Sequence, residues 1–339
     1  MTATHTTDIT IIGAGPTGLF AVFEAGMLKL RCHVVDALDF TGGQCTALYP
    51  EKPIYDIPAH PAINGEDLIK NLEEQAAPFA PVYHLGQRVE KLDRSADGTI
   101  TITTSSGNVI HSKAVIIAAG CGAFGPNRPP LEGIEAYEAS GSVRYMVGKR
   151  EEFRGKSIVI AGGGDSAVDW AISLAEVAKK LYVVHRRPKF RCAPESQTKL
   201  ESLAAEGKIE MVVPYQLAGL GGNNGKLSSV VVNTLEGETK VLDADVLLPF
   251  FGLSMDLGPI ADWDLAIEHK HLHVDPASLQ TSVAGIYAIG DIIHYPGKLK
   301  LILNGFAEAA MACHHIHHTI FHPGETYHFE YSTTKGVPA

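Results

Sequence analysis

Two places in the chain set a glycine-rich turn between an apolar strand and a helix: "DITIIGAGPTGLF" from residue 8 and "KSIVIAGGGDSAV" from residue 156. Each is followed by a second apolar strand, ending at Asp36 in the first case and at His185 in the second. A strand returning parallel to its predecessor needs a crossover, and a helix packed on the sheet supplies it. Two such units demand two parallel sheets, so the fold class read from the chain is α/β. Its length of 339 residues suits two domains of ordinary size.

The turns themselves carry chemistry. In Gly13-Ala14-Gly15-Pro16-Thr17-Gly18, Gly13 makes the turn, Gly15 admits a pyrophosphate to the backbone, and Gly18 lets the helix pack closely. The helix N-terminus then offers N–H groups and a positive dipole end. Asp36 closes the next strand, where a carboxylate accepts from ribose hydroxyls. The second turn, Gly162-Gly163-Gly164-Asp165-Ser166-Ala167, ends differently. Its return strand delivers "HRRPKFR", with His185, Arg186, Arg187 and Arg191, and guanidinium forks match the 2'-phosphate of NADP. Opposite endings point to two different dinucleotides, FAD at the first turn and NADPH at the second.

Between the units, residues 99–120 alternate polar and β-branched residues, as in a meander returning to the first sheet. The proline-dense "GPNRPP" at 125–130 reads as a linker. Residues 226–252 are again hairpin-like, and "GIYAIGD" at 285–291 opens a closing strand, loop and helix. The expected plan is an FAD domain over 1–122 and 249–339, with an NADPH domain over 123–248 inserted in it, each a Rossmann-like three-layer ββα unit.

Composition excludes several classes. Hydrophobic residues at 45% and charged residues at 19% are ordinary globular usage. A net charge of -10 opposes nucleic-acid binding. No apolar run reaches the ~20 residues of a membrane span, and the N-terminus does not read as a signal peptide, so a cytoplasmic location is expected. The five cysteines are scattered, with no Cys-x-x-Cys pair, which argues against a dithiol centre.

Together with "GGQC" at 42–45 and "AAG" at 118–120, these motifs resemble the low-molecular-weight thioredoxin reductase family. Where that family carries its dithiol, however, this chain has Tyr145-Met146-Val147-Gly148. The stretch after Gln44, "CTALYPEKPIYDIPAHPAINGEDLI", with "GKLKLILNGFAEA" at 297–309 and "EYSTTK" near the end, is similar to the thioredoxin-reductase-like ferredoxin--NADP reductases of bacteria. The resemblance implies a homodimer that moves electrons between NADPH and ferredoxin or flavodoxin. Hydride would reach FAD N5 and electrons would then leave singly through the semiquinone, with no side-chain nucleophile. It also implies FAD contacts from Thr17, Asp36, Gln44, Tyr49, Val89, Phe124, Asp291 and Ser332, with Tyr49 and Tyr331 stacking on the flavin. NADP would meet Gly162, Gly163, Gly164, Asp165, Ser166, His185, Arg186, Arg187 and Arg191. Two rivals stay open: a disulfide reductase with another thiol arrangement, and an FAD- and NADP-binding redox sensor.

Other features are read as structural. The histidines of "HHIHH" (314–318) and "HKHLH" (269–273) are taken as a solvated helix end and an exposed strand or turn, and no metal site is expected. Cys45 and Cys121 are taken as packed small residues. Lys149, Arg150, Arg154, Lys156, Lys298 and Lys300 are candidates for docking an acidic carrier.

Overall fold

The computed structural model describes residues 3–325, without the side chains of 123, 124, 253 and 254. The chain divides into two compact units, residues 1–124 with 255–339, and residues 125–254. The return junction falls after residue 254 because Phe250 N still donates to Ala161 O, and Asn127 N to Gly252 O, inside the second unit.

The first unit is built on a five-stranded parallel sheet, ordered Ile286–Ala288, Ala114–Ile117, Ile9–Ile12, Cys32–Val35, Val82–His84. Its inner strands Ile9–Ile12 and Ala114–Ile117 are buried at every position, as parallel strands covered on both faces must be. Thr10 is the polar exception in the Ile9–Ile12 strand, and its hydroxyl donates to Ser112 Oγ at 3.0 Å, so its burial leaves no unmet donor. That bond points to a second sheet. Val89–Arg94, Ile100–Thr104 and Val109–Ser112 form an antiparallel meander, and Thr4–Thr6 adds parallel to its last strand. The helices Gly65–Ala76 and Ile302–Ile316 both pack on the Pro16–Met27 helix. Two sheets and a helical layer make the ββα arrangement read from the sequence.

The second unit repeats the plan on a smaller scale. Its parallel sheet runs Glu210–Val212, Lys180–Val184, Ser157–Ala161, Val246–Pro249. A meander of Gln216–Asn223, Lys226–Asn233 and Thr239–Asp243 forms its second sheet. Val159, Leu247, Val230 and Val232 from the two sheets share one apolar core. The helices Asp165–Leu174 and Pro194–Ala205 pack against each other.

Candidate functional site

In the first unit, the strand Ile9–Ile12 ends at Gly13, with φ +111° and a Cβ position only 2.3 Å from the Ala118 carbonyl oxygen. A Cβ on Gly18 would lie 2.0 Å from the Gly13 carbonyl oxygen, so the helix sits on the turn with no space for a methyl. Gly15 differs: a Cβ there meets nothing within 4 Å. Gly15 is also the N-cap of the Pro16–Met27 helix, which has no side-chain cap and no acid in its first turn. Open space beside unsatisfied first-turn N–H groups is an anion cradle, and it fits the pyrophosphate of a dinucleotide.

Asp36 is held at this cradle. Its carboxylate accepts from Ala14 N at 2.6 Å and from Leu38 N at 2.8 Å. Burial pushes its carboxyl up, and the backbone donors pull it back. Gln87 N donates to the Asp36 carbonyl at 2.9 Å, which brings the buried Val89, first residue of the outer meander strand, close to the same edge.

The loop "GGQC" is stitched onto the turn: Gly42 N donates to Ala14 O at 2.8 Å, and a Cβ on Gly43 would lie 3.2 Å from Gly15 Cα. Gln44 then opens the short helix Gln44–Leu48, its amide near Gly120. Tyr49 caps that helix, and the Cys45 thiol donates to its hydroxyl at 3.8 Å. Burial drives the Tyr49 hydroxyl well above its usual range, with Cys45, Asp291 and Cys121 adding to the effect. Burial likewise moves the Cys45 thiol up to about 11, so it is neither a thiolate nor a nucleophile at neutral pH.

Thr17 ties three segments together. Its side chain lies against both Gly290 and Gly305, so the fingerprint helix, the Gly290–Ile292 turn carrying Asp291, and the start of Ile302–Ile316 converge. That last helix begins after an extended Leu301, again with no side-chain cap and no acid in its first turn. It presents a second open N-terminus.

One residue that sequence reading missed organises this corner. Glu308, on the buried face of Ile302–Ile316, accepts from Gly290 N at 2.8 Å, from the Tyr295 hydroxyl at 2.7 Å and from the Lys298 ammonium. The Lys298 and Glu308 side chains are 1% and 3% exposed. Lys298 is therefore an internal counter-ion and not a docking residue. The available signal was a lone acid among alanines at positions that share a helical face with Ala312 and Gly305.

In the second unit, Gly162 has φ +154° and a Cβ position 2.7 Å from the Phe250 carbonyl oxygen. A Cβ on Gly163 would lie 2.3 Å from the His185 ring, so His185 closes one side of the turn. Gly164 caps the Asp165–Leu174 helix without a side-chain bond. The basic segment folds back on this turn: Arg191 N donates to Gly163 O at 2.6 Å, and Asp165 accepts from Ala193 N at 2.9 Å. Asp165 thus acts as a clasp, with Ser166 beside it at the helix start. Burial lowers the His185 pKa, and the nearby arginines lower it further. Arg186 and Arg187 are exposed and line an open cavity of about 200 Å³ with Pro214, Tyr215, Gln216, Asn233 and Leu235. In it the buried Asn233 Oδ1 has no hydrogen-bond partner among the described residues. Two free guanidinium groups beside an unmatched acceptor fit the phosphorylated adenosine end of NADP.

Some expectations fall elsewhere. Phe124 lies in the Ala123–Pro126 strand, with its side chain outside the description, and Tyr331 and Ser332 lie outside the described residues. Two of the four basic residues near residue 150 are paired with acids. Arg150 pairs with Glu176 at 3.0 Å and Arg154 with Glu151 at 2.6 Å. Lys300 reaches His271 Nε2 at 2.9 Å. All five cysteines are free.

Comparison with known proteins agrees with this architecture. Residues 7–311 match the pyridine nucleotide-disulphide oxidoreductase family. The chain is 65% identical over 336 residues to a ferredoxin--NADP reductase of Paramagnetospirillum magneticum, covering 99% of each. It is 63% identical over 332 residues to one of Granulibacter bethesdensis, covering 98% of this chain and 94% of the relative. Among solved structures, thioredoxin reductase of T. acidophilum superposes with a TM-score of 0.81 at 23% identity, over 92% of this chain and 98% of that one. That of Lactococcus lactis gives 0.78 at 24% identity, over 91% and 96%. These structures share the two-domain FAD/NAD(P) Rossmann fold. The chain belongs to the pyridine nucleotide-disulphide oxidoreductase family and, within it, to the group of ferredoxin--NADP reductases that it matches from end to end.

Proposed function

We propose that this protein carries electrons between NADPH and a ferredoxin by way of FAD, with flavodoxin as an alternative one-electron partner. One observation carries the reading: two dinucleotide cradles of opposite chemistry, Asp36 at the end of one and Arg186 with Arg187 at the end of the other, in a chain whose five cysteines are all free. Relatives at 59–65% identity bear the name of that activity. FAD belongs to the first unit and NADP(H) to residues 125–254.

FAD supplies what nicotinamide lacks, the ability to take an electron pair as hydride and release electrons one at a time. The chain binds and orients. The Pro16–Met27 N-terminus would meet the pyrophosphate, Asp36 and Val89 the adenosine side, and Gln44, Tyr49 and Asp291 the flavin side. The open N-terminus of Ile302–Ile316 would stabilise negative charge that develops on the ring. Arg186, Arg187 and Arg191 would hold the 2'-phosphate. Phe124 and the Tyr331-Ser332 tail complete the flavin environment in this reading. No side chain needs to act as a nucleophile. A cytoplasmic homodimer belongs to the same reading; among the described residues no helix is long and apolar enough to cross a membrane.

Stopped-flow mixing of the FAD-loaded protein with NADPH, and then with ferredoxin, flavodoxin or thioredoxin, tests the reading through the flavin spectrum. Bleaching by NADPH followed by rapid reoxidation with ferredoxin is expected. Reoxidation by thioredoxin alone would assign a disulfide reductase, and bleaching without onward transfer a sensor.

A further inference from the structure

The face of the parallel sheet turned away from the Pro16–Met27 helix holds a cluster that the nucleotide chemistry leaves unused. His33 pairs in register with Thr10, whose hydroxyl reaches Ser112 of the meander sheet, so this face looks toward the second sheet. His84 lies opposite Val35, two residues on from His33 and therefore on the same face. His5 comes from the other side, in the middle of Thr4–Thr6, the outer strand of the meander sheet.

The three rings meet. His33 Nδ1 lies 2.9 Å from His84 Nε2. The His5 ring centre is 5.4 Å from that of His33 and 4.9 Å from that of His84. One nitrogen from each ring lies within 4.8 Å of the other two. A tetrahedral ion with metal–nitrogen bonds of about 2.0–2.1 Å spaces its ligands by roughly 3.3–3.5 Å, a change within reach of side-chain rotation. No carboxylate belongs to the cluster, so hard oxygen-seeking cations are disfavoured and an imidazole-seeking ion is favoured. His84 is 6% exposed, whereas His5 is only partly covered and gives an approach path and a side for a fourth ligand.

We propose that His5, His33 and His84 form a binding site for one Zn²⁺ ion, with water as the fourth ligand. The ion clips the outer strand of the meander sheet to the edge of the parallel sheet. It also bears on the nucleotide cradle through the backbone. The His84 carbonyl accepts from Asp36 N at 3.1 Å, and the Asp36 carboxylate holds the fingerprint turn at Ala14. The site is distinct from the histidines near residue 315, where His314 lies by Glu24, His315 by Tyr287, and His317 stacks on His322.

The test uses tag-free, FAD-loaded, chelator-treated protein titrated with Zn²⁺ by calorimetry, with Co²⁺ absorbance reporting the ligand set. One equivalent and a raised melting temperature are expected. His5→Asn, at a partly exposed edge position, should weaken binding by at least about tenfold, and His84→Asn should do the same. The double variant His317→Asn/His318→Asn should bind as the native protein does. Circular dichroism confirms that each variant is folded; if His84→Asn is not, His5→Asn decides. The proposal is overturned if no equivalent binds at micromolar Zn²⁺, if His5→Asn binds as the native protein does, or if binding disappears with His317 and His318.

Discussion

Glu308 offers the most exacting test of how the flavin-side corner is held. Its carboxylate receives a backbone N–H from Gly290, the Tyr295 hydroxyl and the Lys298 ammonium, and both charged side chains are almost wholly buried. Removing one partner of such a pair strands the other charge and costs about 3–5 kcal/mol. Glutamine keeps an acceptor but not the charge, so Glu308→Gln should sit near the lower end, at about 3 kcal/mol. That is a large share of a domain's ~5–15 kcal/mol. The chain has two tryptophans, Trp170 in the second unit and Trp263 in the first. Urea unfolding followed by fluorescence in a Trp170→Phe background therefore reports on the first unit alone. Adding Lys298→Met to Glu308→Gln removes the stranded ammonium, and the double variant should recover much of the loss. Because Gly290 N anchors the turn bearing Asp291, FAD affinity should also fall by about tenfold, or ~1.4 kcal/mol. A loss below about 1 kcal/mol, or losses from the two substitutions that simply add, would refute the reasoning.

Four further outcomes follow from the cradles and the histidine cluster. Gly15→Ala should leave the melting temperature of FAD-free protein unchanged, since a Cβ there meets nothing within 4 Å, yet weaken FAD binding; Gly18→Ala, with its Cβ position 2.0 Å from the Gly13 carbonyl oxygen, should damage both. Arg187→Ala should raise the KM for NADPH by about 10- to 100-fold, from the loss of ~1.5–3 kcal/mol of charged hydrogen bonding, while NADH turnover stays level; equal effects on both would count against 2'-phosphate recognition. Unfolding free energy should fall as pH drops from 6.5 toward about 4. In that window the unfolded chain takes up protons that His33, through its burial first and then through His84, His5 and Arg31, resists in the folded state. His33→Asn should flatten that slope in pH-dependent urea titrations, and an unchanged slope would exclude the cluster as its source.

Much of the fold was legible because local signals agreed. Continuous apolar strands flank each glycine turn, and the meanders announce themselves by alternation, so the two turns with their strands pointed to two α/β units. The opposite endings at Asp36 and at Arg186 with Arg187 were legible for the same reason, since a strand end fixes where its next residue lies. What stayed hidden depends on packing between distant segments. His5, His33 and His84 meet only because two sheets are stacked, which brings the Thr4–Thr6 strand to the Cys32–Val35 and Val82–His84 strands. Lys298 looked like a surface cation in a loop, and nothing local shows that Glu308 lies inside to receive it. Arg150 and Arg154 read as a basic patch, but Glu151 is a sequence neighbour and Glu176 comes from another segment, and together they cancel it.

The central claim is that electrons leave without a thiol relay, and it is tested most directly at Cys45, whose thiol donates to the Tyr49 hydroxyl, and at Cys121, which also bears on that hydroxyl. The measurement is NADPH-driven ferredoxin reduction by the FAD-loaded Cys45→Ala/Cys121→Ala variant. Turnover within about tenfold of the native protein, a barrier change below ~1.4 kcal/mol, is predicted. Loss of ferredoxin reduction in a variant that still binds FAD and is still bleached by NADPH would contradict it.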